Sequence, residues 1–181
     1  TTGASNTAVG RNALTTNTTG ESNTASGFES LKANTTGIRN TALGYQALLS
    51  ATTASNNTAV GAFAGDSTTT GINNTFIGYD TAPANTTGDN NVSLGSGSLH
   101  ANTTADNNTA IGYSALYANT TGAGNTAVGG TALSLNTTAA NNTAMGHSAL
   151  KVNTTGHSNV ALGKNALNDN TTASYNTSVG T

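Results

Sequence analysis

The pentapeptide pattern Asn-Thr-Ala-Val-Gly, first seen at residues 6–10, returns every 17 residues along this chain without an insertion or a deletion. A fixed short period is typical of solenoids, in which each repeat forms one coil that stacks on the next. Because nothing interrupts the period, the chain offers none of the long loops that usually carry active sites. The spacing therefore constrains the architecture far more than it constrains any binding partner.

Four positions of the repeat are invariant when each copy is numbered from its asparagine as position 1, namely Asn at position 1, Gly at position 5 and Thr at positions 13 and 14. Stacked amides predict a hydrogen-bonded column of asparagines at position 1. Glycine at position 5 predicts a turn, since glycine reaches positive φ at little steric cost. The asparagines are Asn6, Asn23, Asn40, Asn57, Asn74, Asn91, Asn108, Asn125, Asn142, Asn159 and Asn176. The glycines are Gly10, Gly27, Gly44, Gly61, Gly78, Gly95, Gly112, Gly129, Gly146, Gly163 and Gly180.

The remaining positions favour short β-strands over helices. Asn, Thr and Gly are weak helix formers, and Asn and Thr together supply 64 residues of the chain. Position 4 is aliphatic, apart from Ser26, and position 9 is mostly leucine. We expect an all-β fold: a parallel β-solenoid (β-roll) of about eleven 17-residue coils, with two or three short strands in each coil.

The predicted core is thin, which bears on assembly. We expect the large aliphatic side chains of positions 4 and 9 inside the coil, each worth about 1.5–3 kcal/mol when buried. Ordering a residue costs about 1–2 kcal/mol in backbone entropy. If position 4 points inward, alternation leaves the alanines of position 3 as a smooth outer face suited to another chain. This balance predicts a homo-oligomeric fibre, with a trimer as the expected form.

One stretch departs from the usual core pattern. Gly65 and Ala82 replace leucine at position 9 in consecutive coils, and Phe63 and Phe76 appear beside them. We expect both rings to refill the lost core volume.

The two chain ends lie within repeats, and neither resembles the polar cap that closes most solenoids. We therefore predict one repeat domain over residues 1–181, an uncapped segment of a longer fibre or a unit that stacks end to end.

Charged residues make up 7% of the chain and the net charge is -2, which predicts no binding to nucleic acid. No apolar run approaches the ~20 residues of a membrane span, so membrane insertion is not expected.

Side chains suited to catalysis are few and scattered. Asp89 and Asp106 alone among the carboxylates share a column in adjacent coils, and we interpret them as a solvated pair. His100, His147 and His157 occupy different repeat positions without a metal-binding spacing, and we expect all three at the surface. The sequence predicts no catalytic residue, no metal site and no cofactor, and hence no enzyme.

An aromatic column follows the turn glycine at position 6, formed by Phe28, Tyr45, Tyr79 and Tyr113. These rings could stack on sugars along an adhesive surface. Alternatively, they cover the corner of the coil or line a seam between subunits, with their hydroxyls in water.

A separate alternative is ice binding through a regular rank of threonines. Position 13–14 is Thr-Thr, so only one of each pair faces outward, leaving an Asn-x-Thr rank across positions 12 and 14.

Residues 108–122 read Asn-Thr-Ala-Ile-Gly-Tyr-Ser-Ala-Leu-Tyr-Ala-Asn-Thr-Thr-Gly. This segment resembles the repeats of bacterial and phage tail fiber domain proteins, and is similar to the head repeats of trimeric autotransporter (YadA-like) adhesins. The resemblance covers the whole chain and implies a homotrimeric extracellular filament on a cell surface or a virion, with a surface glycan or host receptor as a possible partner. We therefore expect a structural or adhesive fibre segment, with ice binding and a glycan-binding face as alternatives.

Overall fold

The computed structural model describes residues 2–180, and over this range each coil contributes one short strand to a single parallel sheet. Each strand pairs with the next in sequence order at a shift of 17 residues, as Thr41 does with Thr58. The predicted parallel β-solenoid with a 17-residue coil is thus confirmed. The strands are β1 (Thr7–Val9), β2 (Thr24–Ser26), β3 (Thr41–Leu43), β4 (Thr58–Val60), β5 (Thr75–Ile77), β6 (Val92–Leu94), β7 (Thr109–Ile111), β8 (Thr126–Val128), β9 (Thr143–Met145), β10 (Val160–Leu162) and β11 (Thr177–Val179).

The prediction of two or three strands in each coil was wrong for the described residues, because the other sides of the coil are built from turns. Positions 7, 9 and 17 have left-handed backbones, with φ of 55° at Gln46, 49° at Leu48 and 59° at Asn56. These residues bend the chain away from strand geometry. The turns still bond to neighbouring coils, since the amide of Leu48 donates to the carbonyl of Ala64 at 3.0 Å.

The interior of the coil is filled by small side chains and one leucine column. In the inner coils, alanines at positions 3 and 8 and leucines at position 9 are fully buried, as at Ala127, Ala132 and Leu133. The aliphatic residues at position 4 point outward instead, which corrects the predicted core. The asparagine at position 1 faces inward, so strand alternation sends position 2 out, position 3 in and position 4 out.

The asparagines of position 1 form the predicted hydrogen-bonded column. The side-chain oxygen of Asn23 accepts a bond from the backbone amide of Asn40, one coil further on, at 2.9 Å. The same side chain donates from Nδ2 to the carbonyl of Gly37 in its own coil at 2.8 Å. Apart from Asn108, whose Nδ2 is buried without a partner, such amides in the inner coils tie their coil closed and fasten it to the next coil, which explains why asparagine recurs at a fully buried position.

A second asparagine column runs at position 12 and is also buried. Asn136 donates to the side-chain oxygen of Asn119 at 2.9 Å and to the carbonyl of Ala139 at 2.9 Å. Asn125 of the first column donates to this same carbonyl, also at 2.9 Å. The carbonyl at position 15 therefore joins the two columns across the interior of the coil. Asn-x-Thr cannot form an outward rank, since its asparagine is inside.

The glycine at position 5 is required both by the backbone and by the neighbouring coil. Gly129 has a φ of 134°, and a Cβ built on it would lie 2.5 Å from the carbonyl oxygen of Gly146. Any other residue would be strained at this φ and would also collide with the backbone of the next coil. The positive φ of the turn and the close contact with the next coil together explain why glycine is invariant at position 5.

Of the two phenylalanines expected in the core, only Phe76 lies there. Phe76 is fully buried, and a Cβ built on Gly65 would lie 2.6 Å from its ring. The missing leucine side chain at position 9 therefore makes room for this ring. Phe63 is only partly buried and lies among exposed aromatic residues, because position 7 points away from the core.

Candidate functional site

The outward side of the sheet carries a continuous row of aliphatic side chains. We call the side chains at positions 2 and 4 of the strands the strand face. Position 2 is threonine in most strands, and position 4 is aliphatic in all strands but β2. Leu94 is 44% exposed and Met145 is 46% exposed, large values for such side chains. The position 4 residues are Val9, Leu43, Val60, Ile77, Leu94, Ile111, Val128, Met145, Leu162 and Val179.

The predicted aromatic column is continuous over only part of its length. Phe28 and Tyr45 stack with ring centroids 5.1 Å apart, and Tyr45 meets Phe63 edge to face at 5.3 Å. Phe63 in turn meets Tyr79 edge to face at 6.2 Å. The sequence-based column missed Phe63, because this residue reaches the row from position 7. These rings therefore pack on one another, although Tyr45 and Tyr79 remain exposed.

Tyr113, the fourth member of the predicted column, stands apart from that row. Its neighbours at position 6 in the adjacent coils are Ser96 and Gly130, which have no ring to stack on it. Tyr113 is consequently 68% exposed. The four candidate rings therefore divide into a self-packed row and one isolated tyrosine.

Beside Tyr113 lies a groove with a volume of about 350 Å³. Tyr117, at position 10 of the same coil, forms part of its wall and is 41% exposed. The sequence reading overlooked Tyr117, which belongs to a column with no other aromatic ring except His100. The six lining residues are Tyr113, Ser114, Tyr117, Thr131, Ser134 and Leu135.

His100 is partly exposed, in keeping with the surface position expected for it, and it supports this groove from below. Its ring stacks on Tyr117 with centroids 4.6 Å apart and an interplanar angle of 15°. Its Nε2 lies 3.2 Å from the carboxylate of Asp80. His147 and His157 are exposed, in keeping with the expectation for them.

The two aspartates that share a column act as acceptors for backbone amides. Asp89 accepts from the amide of Ile72 at 2.7 Å, and Asp106 accepts from the amide of Asp89 at 2.7 Å. Both are half-buried, so the predicted solvated pair is corrected to two steps of a ladder. Among the residues that the structure describes, no group of three or more His, Asp or Glu side chains could hold a metal ion.

Two carboxylates have shifted pKa values for opposite reasons. Glu29 accepts from Lys32 at 2.7 Å and from Gln46 at 2.9 Å, and these bonds lower its pKa from the ordinary 4.5. Burial of Asp66 raises its pKa from the ordinary 3.8. Neither carboxylate lies in the groove. These shifts therefore concern stability and identify no catalytic group.

The fold defines this chain as a β-solenoid repeat protein. Comparisons with protein families, with curated proteins and with solved structures gave no match to it. In residues 2–180, no helix is of the length and apolar character needed to traverse a bilayer. Conclusions about function therefore depend on the strand face, the aromatic residues and the groove.

Proposed function

We propose that this chain is a non-enzymatic structural segment of an extracellular filament, on a cell surface or a virion, and that copies of it associate through the strand face. The observation that carries the proposal is the outward row of aliphatic side chains at position 4. Monomeric proteins rarely expose contiguous apolar patches of more than a few hundred Å². A row that is present in every strand but β2 and includes Leu94 and Met145 is an expected interface.

The geometry of the row favours association of copies side by side. The strands pair in strict register, so equivalent side chains of successive coils are neighbours along the row. Copies placed around a common axis parallel to the stack would bring equivalent coils to the same level, and every coil would contribute equally. Burial of apolar surface stabilises such an assembly by about 25 cal/mol per Å².

The proposed number of copies is three. The resemblance of the repeat to trimeric adhesin heads favours three copies over two, and the closed symmetry of a trimer would shield the row on every chain. The threonines at position 2, such as Thr109 and Thr126, would line the edge of the same interface. Their hydroxyls are half-buried and available for hydrogen bonds at that edge.

Sedimentation of matched variants tests this proposal. The double variant Leu94→Asp/Met145→Asp places two charges on the strand face. The control Thr104→Asp/Thr155→Asp places the same charges in the same coils at position 14, which is exposed elsewhere on the coil. We expect the unmodified chain and the control to sediment as a trimer, and the strand-face variant as a monomer.

A stable folded monomer of the unmodified chain would overturn self-association, and identical sedimentation of the two variants would exclude the strand face. Electron micrographs of the assembled protein should show rods. Ice binding predicts a different outcome, namely thermal hysteresis at micromolar protein. The structure gives that alternative an exposed threonine rank at position 14, as at Thr104 and Thr121, besides the threonines of the strand face.

A further inference from the structure

The groove exists because one column of the solenoid changes size along the rod. Position 7 carries Gln46 and Phe63 in two early coils, and the Phe63 ring packs against Tyr45 and Tyr79 of position 6. In later coils the same position carries Ser114 and Thr131. The space above these small residues is the groove, with Tyr113 and Tyr117 at its sides.

The two tyrosines differ in how firmly they are held. Tyr117 has one ring face covered by His100, which is itself anchored by Asp80 at 3.2 Å. Its ring is therefore held in place as one wall of the groove. Tyr113 has no stacking partner, because the adjacent residues of its column are Ser96 and Gly130. One wall is thus rigid, and the other presents a largely free aromatic face.

The lining of the groove is mostly apolar, but it includes three hydroxyl side chains and no charge. Ser114, Thr131 and Ser134 bring three hydroxyls into it, and none of the six described lining residues carries a charge. The Thr131 hydroxyl lies 3.0 Å from that of Ser148, which lies 3.0 Å from Nδ1 of His147. This chain of bonds orients the Thr131 hydroxyl. Such a lining disfavours ionic ligands, since it offers no opposite charge to a desolvated ion.

We propose that this groove binds a neutral carbohydrate, with one pyranose ring packed on the tyrosines and its hydroxyls bonded to Ser114 and Thr131. The apolar C–H face of a pyranose matches an exposed tyrosine ring, and its hydroxyls both donate and accept, as serine and threonine do. The volume of about 350 Å³ is at the lower end of the range for small-molecule sites, ~300–1,000 Å³. A single sugar unit or the end of a chain fits this size.

Binding at the groove is independent of the proposed self-association. The groove uses positions 6, 7, 10 and 11 of the coil, whereas the strand face uses positions 2 and 4. A monomeric chain would retain the groove, and a trimer could lack sugar binding. Each proposal can therefore fail while the other stands.

Saturation-transfer NMR on the full chain tests the proposal. The probes are methyl glucoside, methyl galactoside, methyl mannoside and N-acetylglucosamine, each at millimolar concentration. We expect transfer from the protein to the ring protons of at least one probe. Tyr113→Ala and Tyr117→Ala should each weaken binding about tenfold or more, because each removes a stacking surface.

Two further variants separate binding from folding. Thr131→Phe fills the floor of the groove and keeps both tyrosines, and it is compatible with the backbone because Phe63 has the same left-handed φ, 59° against 55°. It should abolish the signal. Tyr79→Ala removes a ring that is 60% exposed but is not part of the groove lining, and it should leave the signal unchanged.

Circular dichroism should show all four variants folded like the unmodified chain. If none of the four probes receives transfer from the protein, the proposal is overturned. Transfer that persists in Thr131→Phe, or that is lost in Tyr79→Ala, would overturn it as well. Tyrosine-dependent binding of a neutral peptide but of no pyranoside would assign the groove to a different class of ligand.

Discussion

The side-chain oxygen of Asn34 is buried without a hydrogen-bond donor because the residue one coil further on is Ala51 rather than asparagine. Asn34 itself donates to Asn17 at 2.8 Å, so the position 12 column is intact up to this point. In the following coil the column carries Thr68, whose buried hydroxyl also has no partner. The column therefore contains a two-residue interruption that leaves one acceptor and one donor unsatisfied.

Ala51→Asn is expected to stabilise the protein by about 1 kcal/mol, because the new amide would donate to Asn34 and accept from Thr68. Thermal and urea unfolding measure the change. Ala47→Asn is the matched control, since Ala47 is equally buried but lies outside the asparagine columns. It should destabilise the protein, and a stabilising effect of both variants would contradict the ladder argument.

Gly129→Ala is expected to cost about 2 kcal/mol or more, since the new Cβ would be strained at φ 134° and collide with the carbonyl of Gly146. The neighbouring Gly130→Ala is a close control. A Cβ there meets nothing nearer than the His147 side chain at 3.4 Å. Urea unfolding should therefore show a larger loss of stability for Gly129→Ala than for Gly130→Ala. Equal losses of stability in the two variants would refute the stacking explanation.

Asn125→Ala should destabilise the protein by about 2 kcal/mol, because it removes the acceptor for the buried amide of Asn142. The lost bond is 3.0 Å long and lies between adjacent coils. Hydrogen exchange at Asn142 should rise more than at amides several coils away. Thr121→Ala, an exposed change nearby, should alter stability by less than about 0.5 kcal/mol.

Glu29 should make the fold more stable at neutral pH than at acid pH. Its bonds to Lys32 and Gln46 lower its folded-state pKa below 4.5, so this contribution is present above about pH 4.5 and is lost as the pH falls through the lowered value. Glu29→Gln should consequently lower the Tm at pH 7, and this effect should shrink as the pH falls below 4.5. An equal loss at neutral and acid pH would show that charge is not involved.

Asp66, unlike Glu29, should make the fold less stable at neutral pH than at acid pH. Burial raises its folded-state pKa above 3.8, so its charged form opposes folding at neutral pH and the penalty disappears once the group is protonated in both states. Asp66→Asn should raise the Tm at pH 7 and leave it unchanged at pH 3. A lower Tm at pH 7 would mean that the carboxylate has a stabilising partner.

The period and the asparagine column could be predicted from the sequence because both depend on identity between repeats. The direction of position 4 could not, since alternation fixes only that neighbouring side chains oppose each other and not which of them faces inward. That choice is set by the inward amide of residues such as Asn23, which bonds across the coil to Gly37.

The groove was hidden from the sequence for a different reason. Its signal is the loss of large side chains at position 7, at Ser114 and Thr131, next to an isolated Tyr117 at position 10. Neither feature alone indicates a groove. The two together predict one only when positions 7 and 10 are known to lie on the same outer corner of the coil, which the sequence does not show.

The bonds between coils lie along the axis of the stack, as the one between Leu48 and Ala64 does. A force that pulls on the ends of a single chain would load these bonds one coil at a time and leave the coils further along untouched. Each coil that detaches would release 17 residues, about 55 Å of extended chain. The molecule would then lengthen under tension in equal steps, as an extensible tether that dissipates energy and spares its attachment points.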